Sequence, residues 1–104
     1  MSISMSTHLT LVARLTAKTE HADTLGEELR RLVAPTATEA GAIGYVLHRD
    51  NGDPRVWILY ETWRSRADLA AHFDQPYTKA LIARFPELLA KEMELTFCTV
   101  VSCD

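Results

Sequence analysis

Val56-Trp57-Ile58-Leu59-Tyr60-Glu61-Thr62-Trp63-Arg64-Ser65-Arg66-Ala67-Asp68-Leu69-Ala70-Ala71-His72 carries the turn from sheet to helix around which the rest of the chain is arranged. Its first half is a continuous apolar and aromatic run, the pattern of a buried strand. It does not alternate: Trp57, Leu59 and Trp63 share one face, while Val56, Ile58 and Tyr60 share the other. Both faces therefore want cover. One layer of helices hides one of them, and a second copy of the chain is expected to hide the other. In the second half, Ser65 is placed to cap a helix, with Asp68 three residues on to help occupy its free N–H groups. That helix is expected to run to about Asp74, with Leu69 and Phe73 inward.

Working outward, Leu9 to Thr16 alternates, with Leu9, Leu11, Ala13 and Leu15 on one side, as in a half-buried strand. From about Glu20 the period lengthens to that of a helix, carried by Ala22, Leu25, Leu29, Leu32 and Val33. The charges between them, Glu20, Asp23, Glu27, Glu28, Arg30 and Arg31, form its wet face. Pro35 predicts a kink or a restart, and Gly41 an end to the helical region. Tyr45 to Arg49 is a second strand, Asn51-Gly52 a hairpin turn at positive φ, and Arg55 to Trp63 the third strand. Pro76 suits the first turn of a later helix. Its stripe is Ala80, Leu81, Phe85, Leu88 and Leu89, and Pro86 should distort it. Glu94 to Ser102 closes the chain as a strand with Leu95, Phe97, Thr99 and Val101 on one face. The order β-α-β-β-α-β is the α+β, ferredoxin-like split arrangement: one four-stranded antiparallel sheet with helices on one side. Residues 1–104 form one domain in this reading, with 1–7 as a flexible N-terminal tail.

At 104 residues there is room for one modest core. Hydrophobic content of 47% with 24% charged residues is ordinary for a globular protein, and a net charge of −3 gives no basic footprint for nucleic acid. No apolar run approaches the ~20 residues that span a bilayer. Residues 1–7 lack the basic and apolar regions of a signal peptide, so a cytoplasmic location is expected. Cys98 and Cys103 would point to opposite faces of one strand, which argues against a bridge between them. Cys98 reads as a packing residue and Cys103 as a tail thiol. Four scattered glycines make no phosphate loop. His8, His21, His48 and His72 lack close metal-ligand spacing, and no nucleophile elbow occurs. No metal site is expected.

Glu61-x-Trp63, the Ser65 cap, Leu69, His72 and Pro76, together with Glu39-x-Gly41-x-x-x-Tyr45 upstream, resemble the antibiotic biosynthesis monooxygenase family. The resemblance covers nearly the whole chain. It implies a ferredoxin-like domain that pairs through its open sheet face into a dimeric α/β barrel. It also implies a cofactor-independent oxygenase acting with O2 on a small aromatic such as a hydroquinone or anthrone. The chain departs from the pattern in two places. Many such sequences place a second His directly after the Pro that opens the later helix, and Tyr77 stands there. The haem-degrading branch ligates iron through a His farther along that helix, and residues 76–92 contain none.

Among these residues His72 is the candidate catalytic base. It borders the apolar stripe four residues after Asp68, whose carboxylate is expected to orient it, and imidazole titrates close to neutrality. Trp63 and Phe73 are candidate walls of a pocket for a flat ring, and Trp63 has one N–H to donate. Tyr77 and Tyr45 are phenols able to reach a substrate oxygen. Glu61 shares a face with Trp57, Leu59 and Trp63 and needs a partner there, such as a turn amide or an Arg. The same residues also suit a ligand-binding or stress-response dimer without catalysis, or a cofactor-free isomerase using the same base.

Overall fold

The computed structural model describes residues 8–102, so expectations for the tail 1–7 and for Cys103 fall outside the described residues. The elements are β1 (Leu9–Thr16), a single 3-10 turn (Thr19–His21), α1 (Ala22–Ala37), β2 (Ala42–Arg49), β3 (Val56–Trp63), α2 (Arg66–Phe73), α3 (Pro76–Ile82), α4 (Phe85–Leu88) and β4 (Glu94–Thr99). The strands form one antiparallel sheet in the order β2-β3-β1-β4. This is the expected ferredoxin-like α+β fold, with the later helical region in three short pieces. Among the described residues no helix is long and apolar enough to cross a membrane.

Alternation decides what the sheet buries. Leu11, Ala13 and Leu15 of β1 and Trp57, Leu59, Glu61 and Trp63 of β3 lie buried against the helices. Register sets them in rows: Tyr45 of β2 faces Glu61, Glu61 faces Leu11, and Leu11 faces Phe97 of β4. A bulge in β2 leaves Ile43 as the extra residue between the Ala42–Trp63 and Gly44–Thr62 pairs. That insertion lets both Ala42 and Tyr45, three residues apart, point to the covered face. The other face stays open, with Val46 and Tyr60 each 49% exposed.

Helix α1 lays Leu25, Leu29, Leu32 and Thr36 on the sheet. Trp57 packs so closely against it that a side chain at Gly26 would overlap the indole, whose Nε1 donates to the Ala22 carbonyl at 2.9 Å. The helix continues past Pro35 and ends at Ala37, with the Thr38 N–H donating to the carbonyls of Pro35 and Thr36, so the expected restart does not occur. Gly41 is not a left-handed cap. No described residue has positive φ. Its lack of a side chain instead makes room for the Asp68 carboxylate, which would collide with a Cβ there. The β2–β3 hairpin also avoids positive φ. Asp50 Oδ2 accepts from the backbone N–H groups of Gly52 and Asp53, each at 2.9 Å, so an aspartate side chain closes the loop.

Ser65 caps α2 as expected, its hydroxyl accepting from Asp68 N–H at 3.2 Å. Pro76 opens α3, and Pro86 lies in the first turn of a separate four-residue α4. The helices reach β4 poorly. Every residue of that strand is exposed, Cys98 included, so Cys98 is not the packing residue its position suggested. Phe97 is sheltered on one side by the Arg66 guanidinium, 4.6 Å from the ring centroid.

Candidate functional site

Four rings meet where β3 runs into α2. His72 lies with its ring centroid 4.8 Å from that of Trp63, 5.5 Å from Tyr45 and 5.7 Å from Phe73, and Tyr45 meets Trp63 edge-on at 6.4 Å. The strand end fixes Trp63, the bulge fixes Tyr45, and the Ser65 cap sets the start of α2 and so the phase of His72 and Phe73. His72 is only 3% exposed. It is a core residue in the last turn of its helix.

Its partner is not Asp68. That carboxylate accepts from Arg64 Nε and Nη2 at 2.8 and 2.9 Å and from the Ser65 hydroxyl at 2.8 Å, and the Arg64 guanidinium holds it below the usual carboxylate range. His72 Nδ1 instead pairs with Glu39, 3.0 Å from Oε2 and 3.2 Å from Oε1. The Tyr77 hydroxyl donates to the same Oε2. Burial and this bond to Glu39 push the Tyr77 phenol up to about 12. Glu39, in the connection between α1 and β2, thus ties α2 and α3 to that connection.

Glu61 has a different setting. Its Oε1 accepts from Trp63 Nε1 at 2.8 Å, so its partner is an indole rather than a turn amide or an Arg. Burial pushes its carboxyl up to about 7; the Trp63 N–H works against the rise and the Glu39 carboxylate adds to it. Burial, with the Glu61 charge beside it, also raises the Tyr45 phenol above its ordinary value.

Glu61 and Tyr45 face a cavity of about 30 Å³ between sheet and helices. Its walls are otherwise hydrocarbon and thioether, including Leu11, Leu29, Leu59, Phe73, Leu81 and Met93, except for Thr78 of α3. The Thr78 hydroxyl is buried without a hydrogen-bond partner. The volume is that of one or two waters and far below the ~300 Å³ at which small-molecule pockets begin. A ring enters only if side chains move, and Phe73, Ile82, Phe85, Met93 and Leu95 line the part of the cavity formed by the short helices and β4. Among the described residues no group of three or more His, Cys, Asp or Glu is arranged to hold a metal ion.

Residues 8–84 match the sequence model of the antibiotic biosynthesis monooxygenase family, a span that holds the ring cluster, Glu39, Glu61 and Thr78. The chain belongs to that family. It is 36% identical to PA3566 from Pseudomonas aeruginosa, with a TM-score of 0.88 over 94% of this chain and 98% of that one. An uncharacterized protein of Synechocystis, sll1783, is 35% identical over 63 residues, which make up 61% of this chain and 43% of that protein. The chain therefore spans less than half the length of that relative. A putative antibiotic biosynthesis monooxygenase from Nitrosomonas europaea shares the fold, with a TM-score of 0.87 at 18% identity.

All six residues singled out in the sequence gather at one place in this antibiotic biosynthesis monooxygenase domain. They divide into two groups there. Tyr45, Glu61 and Phe73 line the cavity, whereas His72, Trp63 and Tyr77 are not among its lining residues. Two polar members were missed. Glu39 is visible in the sequence only as the acid of Glu39-x-Gly41, and nothing local marks it as the partner of His72. Thr78 carries no sequence signal at all; it becomes notable only as an unpartnered hydroxyl on an apolar wall.

Proposed function

We propose that the protein is a cofactor-independent monooxygenase that oxidises a small hydroxy-aromatic, such as a hydroquinone or anthrone, with molecular oxygen. The observation that carries this reading is an apolar cavity with a buried carboxyl of near-neutral ionisation at one wall. An electron-rich aromatic supplies every electron such a reaction needs: a hydroquinone and O2 give a hydroxyquinone and water, and an anthrone and O2 give an anthraquinone and water. Removing the substrate's proton makes the ring a donor to oxygen. The protein's part is to exclude water, orient the ring and accept that proton. Family membership supports the reaction class, and the hydrocarbon walls support an aromatic partner.

The reading includes a homodimer formed through the open sheet face. Val46 and Tyr60 stand half exposed there as cross-strand partners, with Ile58 two residues from Tyr60 along β3. An obligate interface of this kind buries more than ~1,600 Å² in total. A folded monomer in sedimentation at micromolar concentration would contradict it.

Oxygen uptake by the purified chain, with chelator present and a hydroquinone or anthrone as substrate, tests the chemistry. Acceleration over the protein-free rate is expected. Tight binding of the aromatic with no oxygen uptake would place the protein with non-catalytic ligand binders, and isomerised product without uptake would make it an isomerase.

A further inference from the structure

The wall between the ring cluster and the cavity is chemically complete on one side and incomplete on the other. On the ring side Glu39 accepts from both His72 and Tyr77. On the cavity side Glu61 has one donor, Trp63 Nε1, at its Oε1, and among the described residues no donor reaches Oε2. Thr78, whose hydroxyl is buried without a partner, lines the same cavity. Buried polar groups are nearly always satisfied, so an unpartnered hydroxyl and a carboxylate with a single donor on one hydrocarbon wall mark where a ligand's polar atom belongs. Both need a hydroxyl-sized group, which can donate to a carboxylate and accept from a threonine.

We propose that Glu61 is the catalytic base, its Oε2 taking the hydroxyl proton of a phenolic substrate whose ring enters the cavity as its apolar side chains move aside, with Thr78 as the second polar contact. This rests on the monooxygenase reading and deepens it. In the step the substrate O–H bond breaks, its electron pair stays on the phenolate oxygen, and the proton passes to the carboxylate; nothing is oxidised until O2 reacts with the phenolate. His72 suits the role less well. Its Nδ1 is engaged by Glu39, Trp63 lies against its ring, and it does not line the cavity.

The titratable and polar groups around Glu61 are Tyr45 from β2, Trp63 from its own strand, Glu39 after α1 and Thr78 from α3, while α2 contributes Phe73 and β1 Leu11. Glu39 acts through space as a positioning residue: its negative charge raises the proton affinity of Glu61. Burial is the main cause of an ionisation near 7, to which Glu39 adds; about half of the groups are then carboxylate at neutral pH, and basic enough to take a phenolic proton.

Oxygen uptake with a hydroquinone, measured from pH 5 to 9 on the full chain, is the first arm of the test. The wild-type rate should rise through a single step near pH 7. Glu61→Gln should lose ~10²–10⁴-fold, the usual contribution of a general base, together with the step. A Glu61→Gln protein that keeps both overturns the proposal. Should that variant fail to fold, Glu39→Gln decides: the step should move to lower pH, and an unmoved midpoint counts against Glu61. The second arm uses 4-nitrophenol as a bound probe and does not depend on oxygen chemistry. If the wild type consumes no oxygen, the monooxygenase reading fails. Glu61 is then judged by the probe, whose binding should weaken at least ~10-fold in Glu61→Gln, the cost of a lost hydrogen bond to a charged group. Equal binding to both proteins, or none to either, overturns its assignment.

Discussion

Glu39 and Glu61 are two carboxylates under one cluster of rings, and they differ in what surrounds them. The Glu39 side chain is 9% exposed and accepts from an imidazole and a phenol. Glu61 is 4% exposed, accepts from one indole N–H and lines the cavity. A buried acid with its partners in place holds elements together; a buried acid short of a partner on a cavity wall is available for a ligand. The contrast explains why the histidine that stands out in the sequence is the better anchored of the two candidate bases.

The contrast between the two carboxylates is easiest to break at the rings. Trp63→Ala removes a fully buried indole and with it the one donor that reaches Glu61 among the described residues. It should cost ~3–5 kcal/mol in urea unfolding. His72→Ala leaves the Glu39 carboxylate without its imidazole and should cost a similar ~3–5 kcal/mol, as breaking buried pairs does. A loss of only a few tenths for His72→Ala would show that Glu39 is hydrated in solution and that the two carboxylates are alike.

The next effect is one of pH. A carboxyl whose ionisation rises from 4.5 to about 7 on folding keeps a proton that the unfolded chain has lost. Its contribution is complete below pH 4.5 and falls away as pH rises through about 7. Wild-type stability should therefore drop by ~3 kcal/mol across that window, at ~1.4 kcal/mol for each pH step between the unfolded and folded midpoints. Glu61→Gln should lack this component of the drop and be the more stable protein at pH 8. Parallel pH–stability curves for the two would remove the distinction between Glu61 and Glu39.

A smaller effect sharpens the picture of how α2 is positioned. Ser65→Ala deletes the cap and one partner of Asp68 and should cost ~1 kcal/mol. Because α2 carries His72 and Phe73, the lowered melting temperature should come with altered ring-current effects on the proton resonances of the cluster.

The fold was legible because its signals are local: the alternation of Leu9 to Leu15, the two-faced run of β3, Ser65 before its helix, and Pro76 and Pro86 breaking the later helix. The six gathered side chains were legible through resemblance and position. Their division into two groups was not. Asp68, one helical turn from His72, looks like its partner, yet Arg64 and Ser65 claim it, and the carboxylate that reaches His72 comes from another element. The cavity is assembled from β1, β2, β3, β4 and four helices, so no stretch of sequence announces it. The hairpin misled for a similar reason: Asn51-Gly52 suggests positive φ, whereas the Asp50 side chain closes the loop without it.

The most direct test is a carbon-13 titration of the Glu61 side-chain carboxyl in the wild-type protein, its resonance assigned by its disappearance in Glu61→Gln. A midpoint near 7 is expected, moving when 4-nitrophenol is added and its hydroxyl engages Oε2. A midpoint at the ordinary 4.5, unmoved by the phenol, would mean a hydrated carboxylate with no claim on the substrate's proton.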